Sequence, residues 1–200
     1  KLLGTQLKRK VILENDAAAA ILAEHWKGKA KSYDNAMILT LGTGLGTGVI
    51  VNGELVRAGR HMHTEAGHII IRHDDQSAPC GCGNLGCSEA YLSGRSFTRR
   101  NRSRFANPEL TAKDIADLAR KGDPRALAAF EEYAELMAVA IQNYVVIYCP
   151  EIVVLTGSFA EAADLFVPQV KQHLEKLLKR RRKGVDLYPK VAVSSLENRA

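Results

Sequence analysis

Long apolar runs are missing from this chain. None of its hydrophobic stretches approaches bilayer-spanning length, and its first residues show no signal-peptide pattern, so no membrane partner is expected. Cysteine is scarce, with four in 200 residues, and three of the four (Cys80, Cys82, Cys87) crowd into eight positions. That spacing suits a metal rather than a framework of paired bridges, and with it a reducing, cytoplasmic compartment. The fourth, Cys149, follows an apolar helical run and is read as inert core. Repeats, low-complexity tracts and long linkers are absent too, and the 46% hydrophobic content suffices for a sizeable core in one domain or one large lobe. The net charge of +6 is unevenly spread. Arg95, Arg99, Arg100, Arg102 and Arg104 form one cluster, and Lys179, Arg180, Arg181, Arg182 and Lys183 form a solid run. With no recognisable reading helix beside them, these are expected to be solvated helix ends before they are a nucleic-acid surface.

What is present begins with G-H-x11-C-x-C-G-x2-G-C-x-E, from Gly67 to Glu89. Three thiolates and the imidazole of His68 make a soft-donor set for tetrahedral Zn²⁺, and Gly81, Gly83 and Gly86 let the loop turn its sulfurs toward one point. The alternative is a group of buried free cysteines, since Cys packs as a small hydrophobe. A metal gathering His68 and Cys87 would draw together two carboxylates, Glu65 and Glu89, suited to gripping hydroxyls. Structural zinc has no open position, so chemistry must come from elsewhere.

Along the chain the pattern predicts a strand over Val11 to Leu13, then an alanine-rich helix to about Trp26 capped by Asn15 or Asp16. A strand over Met37 to Leu41 enters a glycine run, followed by strands at Val49 to Val51 and Glu54 to Val56 around an Asn52-Gly53 type I′ turn. Helices are expected at Glu89 to Arg104, at Ala112 to Arg120, and in a long stretch opened by Asp123-Pro124. The long one carries an apolar stripe from Leu127 through Val145 and stops at Cys149-Pro150. A core strand (Glu151 to Leu155), a helix (Glu161 to Lys179) and a last strand (Val191 to Ser194) complete a mixed α/β sheet with helices on its faces.

The run T-x-G-T-G-x-G-x-G, Thr40 to Gly48, joins two strands, so it is neither a P-loop nor a dinucleotide fingerprint. Its amides can hold an anion, with Thr43 and Thr47 hydroxyls as added donors, although a tight hairpin explains it equally well. Asp16, at a helix N-terminus, is either a cap or a general base for a sugar hydroxyl attacking a phosphoryl group. Gly157, after a core strand, lies where α/β sheets place ligands. A strand-end carboxylate, a phosphate hairpin and hydroxyl-gripping carboxylates are together the parts of a sugar kinase.

These segments resemble the ROK group of bacterial repressors, uncharacterised frames and sugar kinases. The resemblance rests on V-x-x-E-N-D-A-x-A-A around Asp16, L-G-T-G-x-G-x-G at Leu41 to Gly48, E-x-G-H at Glu65 to His68, and C-x-C-G-x-x-G-C-x-E-x-x-x-S-G at Cys80 to Gly94. G-D-P-x-A at Gly122 to Ala126 and P-E-I-V-V-L-T-G at Pro150 to Gly157 continue it. It implies the actin-like, hexokinase-type α/β fold, with residues 1–200 forming mainly the larger C-terminal lobe with a zinc-binding loop. Asp16 becomes the catalytic base, and Asn15, Asp16, Glu65, His68 and Glu89 the sugar contacts. Gly42, Thr43 and Gly44 hold ATP phosphates, Gly157 lies near the adenosine, and His68, Cys80, Cys82 and Cys87 bind structural zinc. Mg²⁺ is the expected companion of ATP, a hexose or N-acetylhexosamine the acceptor, and a homodimer the assembly.

The chain departs from the family pattern in several places. No Asp-x-Gly-Gly-Thr phosphate motif is present, and the chain opens inside an amphipathic segment (Leu2, Leu3, Leu7), both expected of a larger lobe without most of its partner. Ala18 replaces a common Asn, Ser158 a usual glycine, and His61-Met62-His63-Thr64 a small, glycine-rich approach to Glu65, which bears on the sugar preferred. The resulting expectation is an ATP-dependent hexose kinase. The rivals are a sugar-sensing repressor, the one reading in which nucleic acid is a partner, and an inactive metal-stabilised fragment.

Overall fold

A computed structural model describes residues 2–11, 13–57, 59, 62–105, 107–179 and 186–196. Its centre is a five-stranded sheet in the order β3-β2-β1-β4-β5, built from β1 (Ala36–Leu41), β2 (Leu45–Val51), β3 (Glu54–Leu55), β4 (Ile152–Thr156) and β5 (Lys190–Val193). The hairpin strands β1, β2 and β3 run antiparallel, while β4 pairs parallel with both β1 and β5, so the sheet is mixed as expected. Side chains alternate across it. Ala36, Ile38, Ile50, Ile152 and Val154 pack with Ile21 of α2 (Asp16–Lys27) on one face. Met37, Leu39, Leu41, Val153 and Leu155 join the larger core on the other face, under α6 (Pro124–Tyr148) and α7 (Val167–Leu178). Strands buried on both faces read as near-continuous apolar runs, which is the pattern of M-I-L-T-L and I-V-V-L.

Four further helices complete the order of α elements: α1 (Leu2–Leu7), α3 (Glu89–Leu92), α4 (Gly94–Asn101) and α5 (Ala112–Arg120). The α5 start is a full capping box between Thr111 and Asp114, and Asp123 caps α6 with Pro124 inside its first turn. Asn52 and Gly53 both take positive φ in the β2–β3 turn, as a type I′ turn requires.

Several expectations are corrected. Val11 and Leu13 lie outside any strand and are exposed, Leu13 at 95%, because no neighbouring strand among the described residues pairs with them; Ile12 lies outside the described residues. The helix expected over Glu89 to Arg104 is broken, since Ser93 takes an extended ψ and caps α4 by accepting from the Ser96 amide, and a 3-10 turn (Arg102–Phe105) follows. The helix expected over Glu161 to Lys179 is a kinked 3-10 segment (Ser158–Leu165) followed by α7, which restarts at Phe166 with Pro168 in its first turn. Leu127, placed in the buried stripe of α6, is 46% exposed. Cys149 is exposed rather than core, because α6 ends there in a left-handed turn (φ 46°) that hands the chain to β4.

The first basic cluster is largely spent on internal braces. Arg100 and Arg104 both reach Glu132, Arg100 also lies 4.6 Å over the Tyr91 ring, Arg99 donates to the Pro79 carbonyl and Arg102 to that of Leu110. In the second run, Arg180, Arg181, Arg182 and Lys183 lie outside the described residues.

Candidate functional site

The site is organised around the first half of β2, where small residues admit close neighbours. A Cβ at Gly48 would sit 2.6 Å from the Ala17 carbonyl oxygen and 2.7 Å from Ile21, so glycine there is what lets the start of α2 lie on the strand. A Cβ at Gly67 would meet the Leu45 carbonyl at 2.3 Å, so the 3-10 turn Ala66–His68 presses on the strand from another side. Glu89, opening α3, accepts from the Leu45 amide through Oε2 at 2.9 Å and occupies the space a side chain at Gly44 would take. Asp16, the Glu65–His68 turn and Glu89 therefore all approach one hairpin.

At the start of α2 the capping role falls to Asn15, whose Oδ1 accepts from the Ala17 and Ala18 amides at 2.9 and 3.2 Å. Asp16 is exposed, and its Oδ1 accepts from the Ala17 amide at 2.8 Å. Its second oxygen has no hydrogen-bond partner among the described residues.

The hairpin tip, residues 42–44, is the only stretch of the glycine run outside the strands. Gly42 donates to the Gly44 carbonyl at 3.1 Å and Gly46 to Thr40 Oγ1 at 3.1 Å, leaving the Thr43 and Gly44 amides without a partner among the described residues. Thr47 is not the phosphate donor the spacing suggested. It is 2% exposed, donates to the Thr64 carbonyl at 2.9 Å and accepts from the Ala66 amide at 3.1 Å, locking the approach to Glu65 onto β2. Tyr144 of α6 holds the same turn by donating to the Ala66 carbonyl at 3.1 Å, and burial pushes its phenol up to about 12.

The four proposed metal ligands come together. One donor atom from each of His68, Cys80, Cys82 and Cys87 lies within 4.8 Å of the others. Sulfurs bound at about 2.3 Å in a tetrahedron stand about 3.8 Å apart, and a sulfur–imidazole edge is about 3.6 Å. The Cys82–Cys87 sulfur distance is 3.7 Å and Cys80 Sγ to His68 Nδ1 is 3.4 Å, so the donor set fits zinc. Backbone pairing fixes the loop through short antiparallel bridges, Ile70 with Cys87 and Pro79 with Leu85. Gly86, at φ 73°, passes where a Cβ would be 1.6 Å from the Arg72 carbonyl. Burial, then the neighbouring Cys82 and Cys80, pushes the Cys87 thiol up to about 12.

The His68 ring spans two environments. Its Nδ1 faces Cys80, while Nε2 faces Glu65 Oε2 at 3.7 Å. Glu89 Oε1 in turn lies 3.5 Å from Cys80 Sγ, so both carboxylates border the metal cluster.

Two hollows lie nearby, one against the hairpin tip and one at the ends of β4 and β5. The larger, about 570 Å³, is lined by Gly42, Thr43, Thr111, Lys113, Ser158 and Phe159 among others. The smaller, about 300 Å³, holds Gly157 at its edge, and Glu161 borders both. Gly157 takes φ 92° and presses on β1, where a Cβ would lie 2.6 Å from the Leu41 carbonyl. Gly157 lines the smaller hollow, and the next residue, Ser158, lines the larger cavity beside Gly42 and Thr43. Thr111 and Lys113 carry no signal beyond a helix start, and only the cavity they share with Gly42 and Thr43 reveals them.

A mixed α/β lobe whose exposed carboxylates and Cys/His cluster gather around its glycine hairpin defines a class. The ROK family model matches residues 1–200, and the chain belongs to the ROK family. It is 34% identical to an N-acetyl-D-glucosamine kinase of Yersinia pseudotuberculosis over 172 residues, covering 82% of this chain and 56% of that protein. It is also 34% identical to a glucokinase of Halalkalibacterium halodurans over 186 residues, 86% of this chain and 56% of that one. Among solved structures it superposes on a ROK hexokinase from Thermus thermophilus with a TM-score of 0.87 at 30% identity, over 98% of this chain and 65% of that one. A ROK glucokinase from Streptomyces griseus, in complex with glucose and AMPPNP, gives 0.83 at 28%, over 98% and 66%. A ROK transcriptional regulator, homologue of the E. coli MLC protein, gives 0.80 at 26%, over 96% and 50%. The fold is therefore that of the actin-like ROK hexokinases, and the chain spans a little over half the length of the curated relatives it matches.

Proposed function

We propose that the whole protein is an ATP-dependent hexose kinase, with residues 1–200 as its larger, sugar-binding lobe. The carrying observation is the gathering of Asp16, Glu65, His68 and Glu89 around a hairpin whose tip keeps two unspent amides. In this reading the sugar hydroxyl loses its proton to Asp16 as its oxygen attacks the γ-phosphorus, and the bond to the departing ADP oxygen breaks. Gly42, Thr43 and Gly44 meet the phosphates, with Mg²⁺ neutralising their charge, and the 570 Å³ cavity receives the rest of the nucleotide. Gly157, at the edge of the smaller hollow, stays near the adenosine in this proposal. Asn15 has its carbonyl oxygen occupied by capping, so it meets the sugar as an Nδ2 donor. One hydroxyl fits between Glu65 Oε2, which accepts, and His68 Nε2–H, which donates; Glu89 takes another.

A zinc ion held by His68, Cys80, Cys82 and Cys87 would supply a structural knot with no open coordination position. By aiming Nδ1 at the cysteines, the fold leaves the His68 proton on Nε2, where the sugar lies. The acceptor is a glucose or N-acetylhexosamine, by analogy with the kinases above. A cytoplasmic homodimer belongs to the same proposal by family resemblance.

The test is an assay of the whole protein with ATP and Mg²⁺ against glucose, N-acetylglucosamine and N-acetylmannosamine. Sugar-dependent ADP release with a phosphorylated sugar product is expected. Absence of phosphorylation with every sugar, together with sugar-responsive DNA binding, moves the conclusion to the regulator reading that the likeness to the ROK transcriptional regulator supports.

A further inference from the structure

Glu65 is poorly held by its own backbone. It stands before the 3-10 turn Ala66–His68, makes no side-chain cap bond there, and leaves its side chain 58% exposed. A carboxylate so placed has several rotamers, and ordering it is a cost that sugar binding must meet. His63 removes that freedom. Its Nε2 lies 2.9 Å from Glu65 Oε1, and because a carboxylate only accepts, that nitrogen carries the donated proton.

His63 itself has a firm base. The next residue, Thr64, is 8% exposed and clasped to β2 by a reciprocal pair, Thr47 Oγ1 donating to the Thr64 carbonyl and Thr64 Oγ1 to the Thr47 carbonyl at 3.3 Å. The His63 ring is 24% exposed, and the Glu14–Arg57 ion pair lies on the same side. Glu14 also accepts the Asn15 amide at 3.1 Å, so the pair is joined to the turn before Asp16.

We infer that His63 is a positioning and specificity-determining residue for the sugar site, a role that rests on the kinase reading above. By donating to Oε1 it fixes the carboxylate so that Oε2, the oxygen beside His68, is the one turned toward ligand. Glu65 then accepts one hydroxyl, shared with His68, rather than chelating a vicinal pair. The site accordingly selects for a single hydroxyl at that position, and a sugar lacking it loses most of its affinity.

The test is a double-mutant cycle in the whole protein, using His63→Ala, Glu65→Ala and the pair, with His63→Gln as the variant that restores a donor. Readouts are sugar affinity by calorimetry with glucose and N-acetylglucosamine, KM and kcat, and melting temperature. His63→Ala is expected to weaken sugar affinity about tenfold, the scale of one charge-assisted bond. KM for sugar should rise while kcat and melting temperature stay near wild type, His63→Gln should recover most of the loss, and His63→Ala should add nothing once Glu65 is gone. Unchanged affinity in His63→Ala while Glu65→Ala binds weakly overturns the role of His63 alone, as does an additive double mutant. A wild type that binds no sugar overturns the kinase reading and this inference together.

Discussion

Replacing Asp16 by Asn separates capping from the proposed general-base role, because the cap bonds of α2 fall to Asn15. Asn15 accepts the two α2 amides that a cap must satisfy, so Asp16→Asn leaves the cap in place. What the fold loses is one carboxylate at a helix N-terminus, worth about 0.3–1 kcal/mol at an exposed position. For a domain of this size each kcal/mol shifts the melting temperature by about 2–4 °C, so the variant should melt no more than about 4 °C early. The chemical loss is far larger. An amide has no basic site for the hydroxyl proton, and the usual contribution of a general base is about 10²–10⁴-fold in rate. The assay is coupled ADP release by the whole protein at saturating sugar, with sugar affinity measured separately. Asn15→Ala should instead lose about 1 kcal/mol of capping together with its proposed sugar contact. Turnover of Asp16→Asn within about tenfold of wild type, outside the range general-base loss produces, would refute the argument.

Three other outcomes are expected. Metal analysis should find one zinc per chain, and a strong chelator or Cys82→Ser should lower both the melting temperature and sugar affinity, because coordination contributes directly to folding; a zinc-free protein indifferent to chelation contradicts the site. Gly48→Ala should cost about 1–3 kcal/mol by overpacking against Ala17 and Ile21, whereas Gly42→Ala, whose Cβ meets nothing within 4 Å, should stay within about 0.5 kcal/mol; equal melting temperatures would refute the packing argument. Asp75 is held down to about 2 by hydrogen bonds from Ser77 and Tyr91, so its contribution is present above the ordinary carboxylate pKa and is lost as pH falls toward 2. Tyr91→Phe removes the 2.7 Å bond, and its melting-temperature deficit measured against wild type should shrink between pH 5 and pH 2; a deficit independent of pH would break that link.

Local rules read well from the residues alone. Apolar runs marked β1 as a strand and β4 as a core strand, Asn52-Gly53 and Asp123-Pro124 announced a turn and a helix start, and the Cys/His spacing pointed to four side chains that the fold does gather. These signals are local because each depends on one segment's periodicity, backbone freedom or donor type. The family pattern likewise lay in the sequence, since its motifs run in order along most of the chain.

Tertiary contacts decided the rest, for reasons of volume and partner. The glycine run from Thr40 to Gly48 looks uniform as letters, yet only residues 42–44 form the tip, while Gly48 makes room for α2 and Thr47 is consumed by Thr64. Whether Asn15 or Asp16 caps α2, and whether an arginine cluster meets solvent or braces Glu132, depends on what stands opposite. Leu13 has β-strand neighbours in sequence but no strand beside it among the described residues, and Cys149 follows an apolar stripe but leaves the core where the helix turns left-handed. A residue type states which interactions a side chain can make. Packing decides which of them it does make, because that depends on atoms brought near from distant parts of the chain.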